Sequence, residues 1–238
     1  MATLGPFWAI VQADLKNLFR SKLTYGWLLV AAFIQVIRTL GSQGSETVPA
    51  VISSGLGDFV YIWALVIIGL SASSVSSEAG ELADSVMSKS VTRLDYVLAK
   101  FASRISYTLA TFSLVMALLV GLGLKMETGD YDLLGLAAAV LLVALALVTL
   151  TALGVGFSVA MPNSVVAIVT LLVMWYAMTA LFPAVGLGVL SPGSLVGTLP
   201  DLIKGTWNWS EAEAAVAFAA VMVAATALSS AHFYLKDI

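Results

Sequence analysis

Between Leu133 and Ala160 the chain carries no charged side chain. A helix needs about 20 mostly apolar residues to cross about 30 Å of hydrocarbon, and this run is longer than that. It is apolar all round and does not alternate, so it does not read as a membrane strand. Similar stretches run from 23 to 40, 59 to 77, 96 to 124, 164 to 185 and 214 to 234. Met161-Pro162-Asn163 supplies a tight turn between the fourth and fifth. The expected fold is all-α: a polytopic membrane protein with six transmembrane helices forming a single transmembrane domain over 1–238. Composition agrees, with 60% hydrophobic and 11% charged residues, against roughly 25% charged in soluble domains. Such hydrophobicity also excludes a disordered chain.

The net charge of −3 gives no reason to expect a nucleic-acid partner. With no cysteine there are no disulfides, thiolate metal sites or cysteine nucleophiles. The lone histidine, His232, cannot form a His cluster and falls near the inner end of the last span. No metal site and no catalytic constellation is expected, so the chain does not read as an enzyme. The first twenty residues hold Asp14, Lys16 and Arg20, and no cleavable signal peptide is expected. Lys16, Arg20, Lys22, Lys89, Arg93, Lys100, Arg104 and Lys236 fall on the N-terminal side, against Arg38, Lys125 and Lys204 on the other. This bias predicts cytoplasmic N- and C-termini.

Residues 7–21 read as an amphipathic helix. Phe7, Trp8, Ile10, Val11, Leu15, Leu18 and Phe19 recur at helical spacing, with Gln12, Asp14, Lys16, Asn17 and Arg20 on the other side. Such a helix can lie in the membrane interface, apolar face down. The outer segment 183–210, rich in Gly and Pro yet apolar, is expected to hold short helices packed on or dipping into the outer leaflet.

The connection between spans 2 and 3 is the most informative. Glu78, Glu81 and Asp84 stand near the start of a possible short helix, where the helix dipole favours acids. Leu82, Val86 and Met87 form an apolar ridge on it. A short surface helix of this kind suits a cleft on a soluble partner.

The segment resembles the membrane subunit of ATP-binding-cassette (ABC) type-2 exporters. There, span 2 is followed by Glu, Gly-Thr-Leu, Leu-Leu-Ser-x-Pro-x-Ser-Arg and a Gly-Lys opening span 3. Glu78, Gly80 and Leu82 match the first residues, Val86-Met87-Ser88 match Leu-Leu-Ser, Thr92-Arg93 match Ser-Arg, and Lys100 matches the Lys. Glu81 replaces Thr, Ser90 replaces Pro and Ala99 replaces Gly. The N-terminal helix, the six-span layout and the ending Phe233 to Ile238 are also similar to that family.

The resemblance implies a permease in the plasma membrane, most simply a homodimer, surrounded by lipid and served by two copies of an ABC ATPase subunit. ATP and Mg would sit on that partner, since this chain has no Gly-Lys pair and hence no phosphate loop. Glu78, Gly80, Glu81, Leu82, Val86, Met87, Ser88 and Arg93 would form the coupling helix and ATPase contact. Phe7, Trp8, Val11, Leu15, Phe19 and Arg20 would mark the elbow helix. The alternative is an ATP-independent secondary transporter or channel. That class commonly uses broken helices or mid-membrane charges, which the sequence is not expected to supply.

Four further readings are open. Arg93 either orders the coupling turn or acts as a topology charge. Lys100 and Arg104 either touch the elbow helix or lipid phosphate, or snorkel to the interface. Asp58 is read as a helix-start residue or an outer-gate polar group. Trp175 and Tyr176 either line a substrate path or pack between helices.

Overall fold

The computed structural model describes residues 5–42, 46–78, 92–126 and 128–235. Among these residues the fold is all-α, with no β-strand. Helix α1 spans Gly5–Arg20 and α2 spans Lys22–Gly41. A second span is built from α3 (Val48–Asp58), a π-helical turn (Phe59–Trp63) and α4 (Ala64–Ala72). Then follow α5 (Arg93–Met126), α6 (Leu133–Ala160), α7 (Ser164–Leu181), α8 (Pro192–Ile203) and α9 (Trp209–Leu235). Six of these segments are long and apolar enough to cross a bilayer. The chain is a multi-pass membrane protein.

The most apolar helix takes the centre. α6 has no polar face to offer water, and it packs against α4, α5, α7, α8 and α9. Of its most apolar window 56% is buried, against 17% for α9 and 22% for α7; the second span beside it is more enclosed still, at 72%. The peripheral helices present Val, Leu and Phe outward instead, as at Leu29, Phe33, Val169, Val173 and Val223. Lipid is as apolar as those side chains, so their exposure costs nothing there.

Helix ends are closed by side chains, because unpaired backbone groups are costly in an apolar medium. Asp132 accepts from the Gly135 N–H (2.7 Å) and Asn163 from the Val165 N–H (2.8 Å). At the end of span 2, Ser158 of α6 accepts from the N–H groups of Val75 (2.8 Å) and Ser76 (2.9 Å). That clasp fixes the turn that leads to Glu78.

Span 2 departs from the sequence expectation. It begins at Val48 rather than Phe59, so Asp58 lies inside a continuous helical stretch and does not start one. The Ser-Ser-Gly-Leu-Gly-Asp run suggests a loop, but Ser53 and Ser54 bond back to the carbonyls of Ala50 and Val51 (3.1 and 2.9 Å). Their hydroxyls are thereby satisfied within the helix. The fifth helix ends at Leu181, before a 3₁₀ turn at Pro183–Val185, and the last begins at Trp209. In segment 183–210, α8 buries Leu195, Leu199, Leu202 and Ile203 against a surface that includes α3 and α6.

Candidate functional site

α5 is 34 residues long, about 51 Å at 1.5 Å per residue. It therefore outreaches the hydrocarbon. Counting roughly 20 residues back from Met126 reaches about Ser106, which leaves Tyr96, Lys100, Ser103 and Arg104 at the boundary on the N-terminal side. α1 packs along this part of α5.

There the chain buries a charge cluster. The Lys100 ammonium is 2.7 Å from Oε1 of Glu78 and 3.2 Å from Oδ1 of Asp14. Arg104 approaches the same Asp14 oxygen at 3.4 Å. Ser103 donates to the other Asp14 oxygen at 2.5 Å, and the Tyr96 hydroxyl donates to Glu78 Oε2 at 2.6 Å. Lys100 is only 3% exposed and Asp14 9%. Two carboxylates face two cations, so the charges balance. Lys100 also lies 5.5 Å from the Tyr96 ring centre, and that ring stacks on Phe233 of α9. The cluster thus joins α1, the end of span 2 and α5, and leans on α9.

This arrangement corrects two expectations. Asp14 does not sit on an outward polar face of α1; it points inward, in the buried row Val11, Asp14, Leu18. Lys100 and Arg104 do not snorkel to lipid; both are buried against α1. Sequence reasoning missed Asp14 and Ser103 as partners. The signal was present: Asp14 is the one acidic residue of α1 and falls at helical spacing within an apolar row.

Of the residues assigned to the coupling helix, Gly80, Glu81, Leu82, Val86, Met87 and Ser88 lie outside the described residues. Glu78 and Arg93 flank that stretch. Glu78 enters the cluster and Arg93 begins α5. On α1, Val11 is buried and Leu15 packs on the core, while Trp8, Phe19 and Arg20 are exposed. Phe7 meets Trp8 edge-on, and Phe19 lies 5.2 Å from the Tyr107 ring. Tyr107 in turn bonds Thr24 (2.8 Å) and Trp27 (2.9 Å) of α2, fixing the corner between α1 and α2.

A second polar group lies toward the other side. Arg38 of α2 pairs with Asp58 at 2.6 Å, and Gln35 donates to the same carboxylate at 3.1 Å. Next to it, the π turn frees backbone carbonyls from regular helical pairing. The Trp175 indole N–H donates to the Val60 carbonyl at 3.0 Å, and the Tyr176 hydroxyl donates to that of Tyr61. Trp175 is fully buried and Tyr176 partly so. Trp175→Phe keeps most of the ring but orphans that carbonyl. It is expected to lower folding stability by about 1–3 kcal/mol, read by denaturant unfolding in mixed micelles. An unchanged midpoint would show that the indole bond carries nothing.

Among the described residues no three His, Cys, Asp or Glu side chains come together as metal ligands. In the N-terminal-side cluster, moving any one charge unpairs another, because Lys100 is shared by Glu78 and Asp14 and Asp14 is shared by Lys100 and Arg104. No protein-family model and no curated protein matches the chain.

Proposed function

We propose that the chain is the membrane-spanning permease subunit of an ABC exporter, in the plasma membrane with both termini cytoplasmic. An ATPase on a partner chain, two copies per permease pair, would bind ATP and Mg and drive export. The order and spacing of Glu78, Gly80, Leu82, Val86-Met87-Ser88, Arg93 and Lys100 support this reading. The observation that carries it is the pair of hydrogen bonds that the Glu78 carboxylate accepts from Lys100 and Tyr96 of α5 (2.7 and 2.6 Å), with Lys100 bonded onward to Asp14 of α1. A push on the connection that begins after Glu78 reaches α1 and α5 through Glu78 and the buried charges of Lys100 and Asp14. Those charges cannot separate without large electrostatic cost.

The first test is capture of the tagged chain from its native membrane. Absence of any phosphate-loop ATPase from the purified complex overturns the reading. The second is Glu78→Ala or Arg93→Ala in the intact complex. Hydrolysis and membrane level are expected to persist. The ATP-driven change in distance between spin labels on α1 and α5 should fall at least severalfold. An undiminished change in both variants removes the coupling role.

One observation favours the alternative, an ATP-independent secondary transporter. Span 2 holds a helix irregularity and, beside it, Asp58 paired across to Arg38 of α2, the kind of feature such transporters place at their sites. Proteoliposomes of the chain alone decide between them: flux driven by an ion gradient without ATP supports the secondary transporter.

A further inference from the structure

On the side opposite the charge cluster, a cavity of about 130 Å³ lies between the 3₁₀ turn Gly188–Leu190, the start of α8 and the first turn of α9. Space for one water is about 10–15 Å³, so the cavity admits a small organic group. It is lined by Val189, Leu195 and Ala214, by the hydroxyl residues Ser194, Thr198 and Ser210, and by one carboxylate, Glu211.

Glu211 is 6% exposed, unusual for a carboxylate without a cation. One of its oxygens has a structural role, since Oε2 accepts from the Asn208 N–H at 2.7 Å and caps α9. The other, Oε1, is buried without a hydrogen-bond partner among the described residues. Capping explains half the carboxylate and leaves the other oxygen uncompensated, a costly arrangement. None of the described cations forms a salt bridge with it.

We propose that this cavity binds a primary ammonium group, with Glu211 Oε1 as its counter-charge and hydroxyls of the wall as further acceptors. An ammonium has three donors and no acceptor, which suits the one carboxylate and three hydroxyls of an otherwise apolar wall. A lone carboxylate with hydroxyls is a poor cage for a divalent ion, which takes six or more oxygen ligands. The apolar part of the wall suits the carbon attached to the nitrogen. Trp207 and Trp209, 58% and 85% exposed and just ahead in sequence of the lining residues Ser210 and Glu211, are interface anchors by type. They place the site at headgroup level, so the amine belongs to a lipid headgroup or to a free amine in solution. The proposal does not depend on where the driving energy comes from.

The test uses the full chain in nanodiscs of phosphatidylcholine, in phosphate buffer free of amines. Thermal unfolding is followed against ethanolamine, neutral N-acetylethanolamine and sodium chloride at matched ionic strength. A ligand bound only by the folded state raises the midpoint saturably. Ethanolamine is expected to do so and the other two are not. Glu211→Gln can still cap Asn208 but lacks the charge, and should abolish the rise. Ala214→Val, which narrows the cavity and keeps the carboxylate, should weaken half-saturation roughly tenfold, equivalent to about 1.4 kcal/mol. Phosphatidylethanolamine nanodiscs separate the sources. If the lipid headgroup occupies the site, the baseline midpoint is already raised and added ethanolamine does nothing more; if free amine does, the rise persists. An equal response to ethanolamine and sodium chloride in the unsubstituted chain, or an undiminished response in Glu211→Gln, overturns the proposal.

Discussion

Lys100→Met is expected to cost about 3–5 kcal/mol of folding free energy, because it leaves two carboxylates without their shared cation. The Lys100 side chain is 4% exposed and that of Asp14 10%, so water cannot replace the lost partner. Glu78 is 38% exposed at its side chain and can turn partly to solvent, which favours the lower end of the range. Adding Glu78→Gln should recover part of the loss. The pair Asp14 and Arg104 then remains, 3.4 Å apart, and the charges balance again. The double variant should therefore be more stable than Lys100→Met alone, with a coupling of about 1 kcal/mol or more in the cycle. Strict additivity, measured by denaturant unfolding in mixed micelles, would falsify the cluster as a bonded unit.

The same cluster shows why a helical pattern reveals a helix more readily than its environment. α1 was legible as amphipathic, but an amphipathic pattern does not say which face meets protein. In water the apolar face turns inward; beside a bilayer, lipid also accepts apolar side chains and the costly charge turns inward. Trp8 accordingly faces out and Asp14 faces in. The row Phe7, Val11, Asp14, Leu18 on α1 and the row Tyr96, Lys100, Ser103, Tyr107 on α5 were both readable as spacings. Their pairing was not, since nothing local brings position 14 to position 100.

Span number followed from apolar run length alone, because charge-free runs of this size have few alternatives to spanning. The start of span 2 did not. Ser, Gly and Asp at 53–58 are turn residues by propensity; hydroxyls bonded back within the helix and two tertiary contacts, Arg38 on Asp58 and Leu119 packed against Gly55, make them helical. The π turn was likewise invisible. Its freed carbonyls are acceptable because Trp175 and Tyr176, over a hundred positions away in sequence, donate to them.

Gly135→Ala is expected to be among the most damaging substitutions that add a single methyl group. A Cβ at Gly135 would fall on the carbonyl oxygen of Leu202 and 3.3 Å from the Gly205 nitrogen. Both are backbone atoms of the α8 end, and no rotamer change can move them aside. The joint is also bonded on both sides of the contact: the Asp132 N–H donates to the Ile203 carbonyl at 2.8 Å, and Asp132 caps Gly135. To admit the methyl, α8 must back away from α6, loosening the contacts of Leu199 and Leu202, which are at most 1% exposed. Overpacking typically costs about 1–3 kcal/mol, and a backbone obstacle belongs at the upper end. Gly121→Ala on α5 is the control. A Cβ there meets nothing within 4 Å, and Ala is favoured over Gly inside a helix by up to about 1 kcal/mol. The same chemical change should thus shift the unfolding midpoint in opposite directions at the two sites. A shift of the same sign and size at both would mean that α6 and α8 do not meet at Gly135 as described.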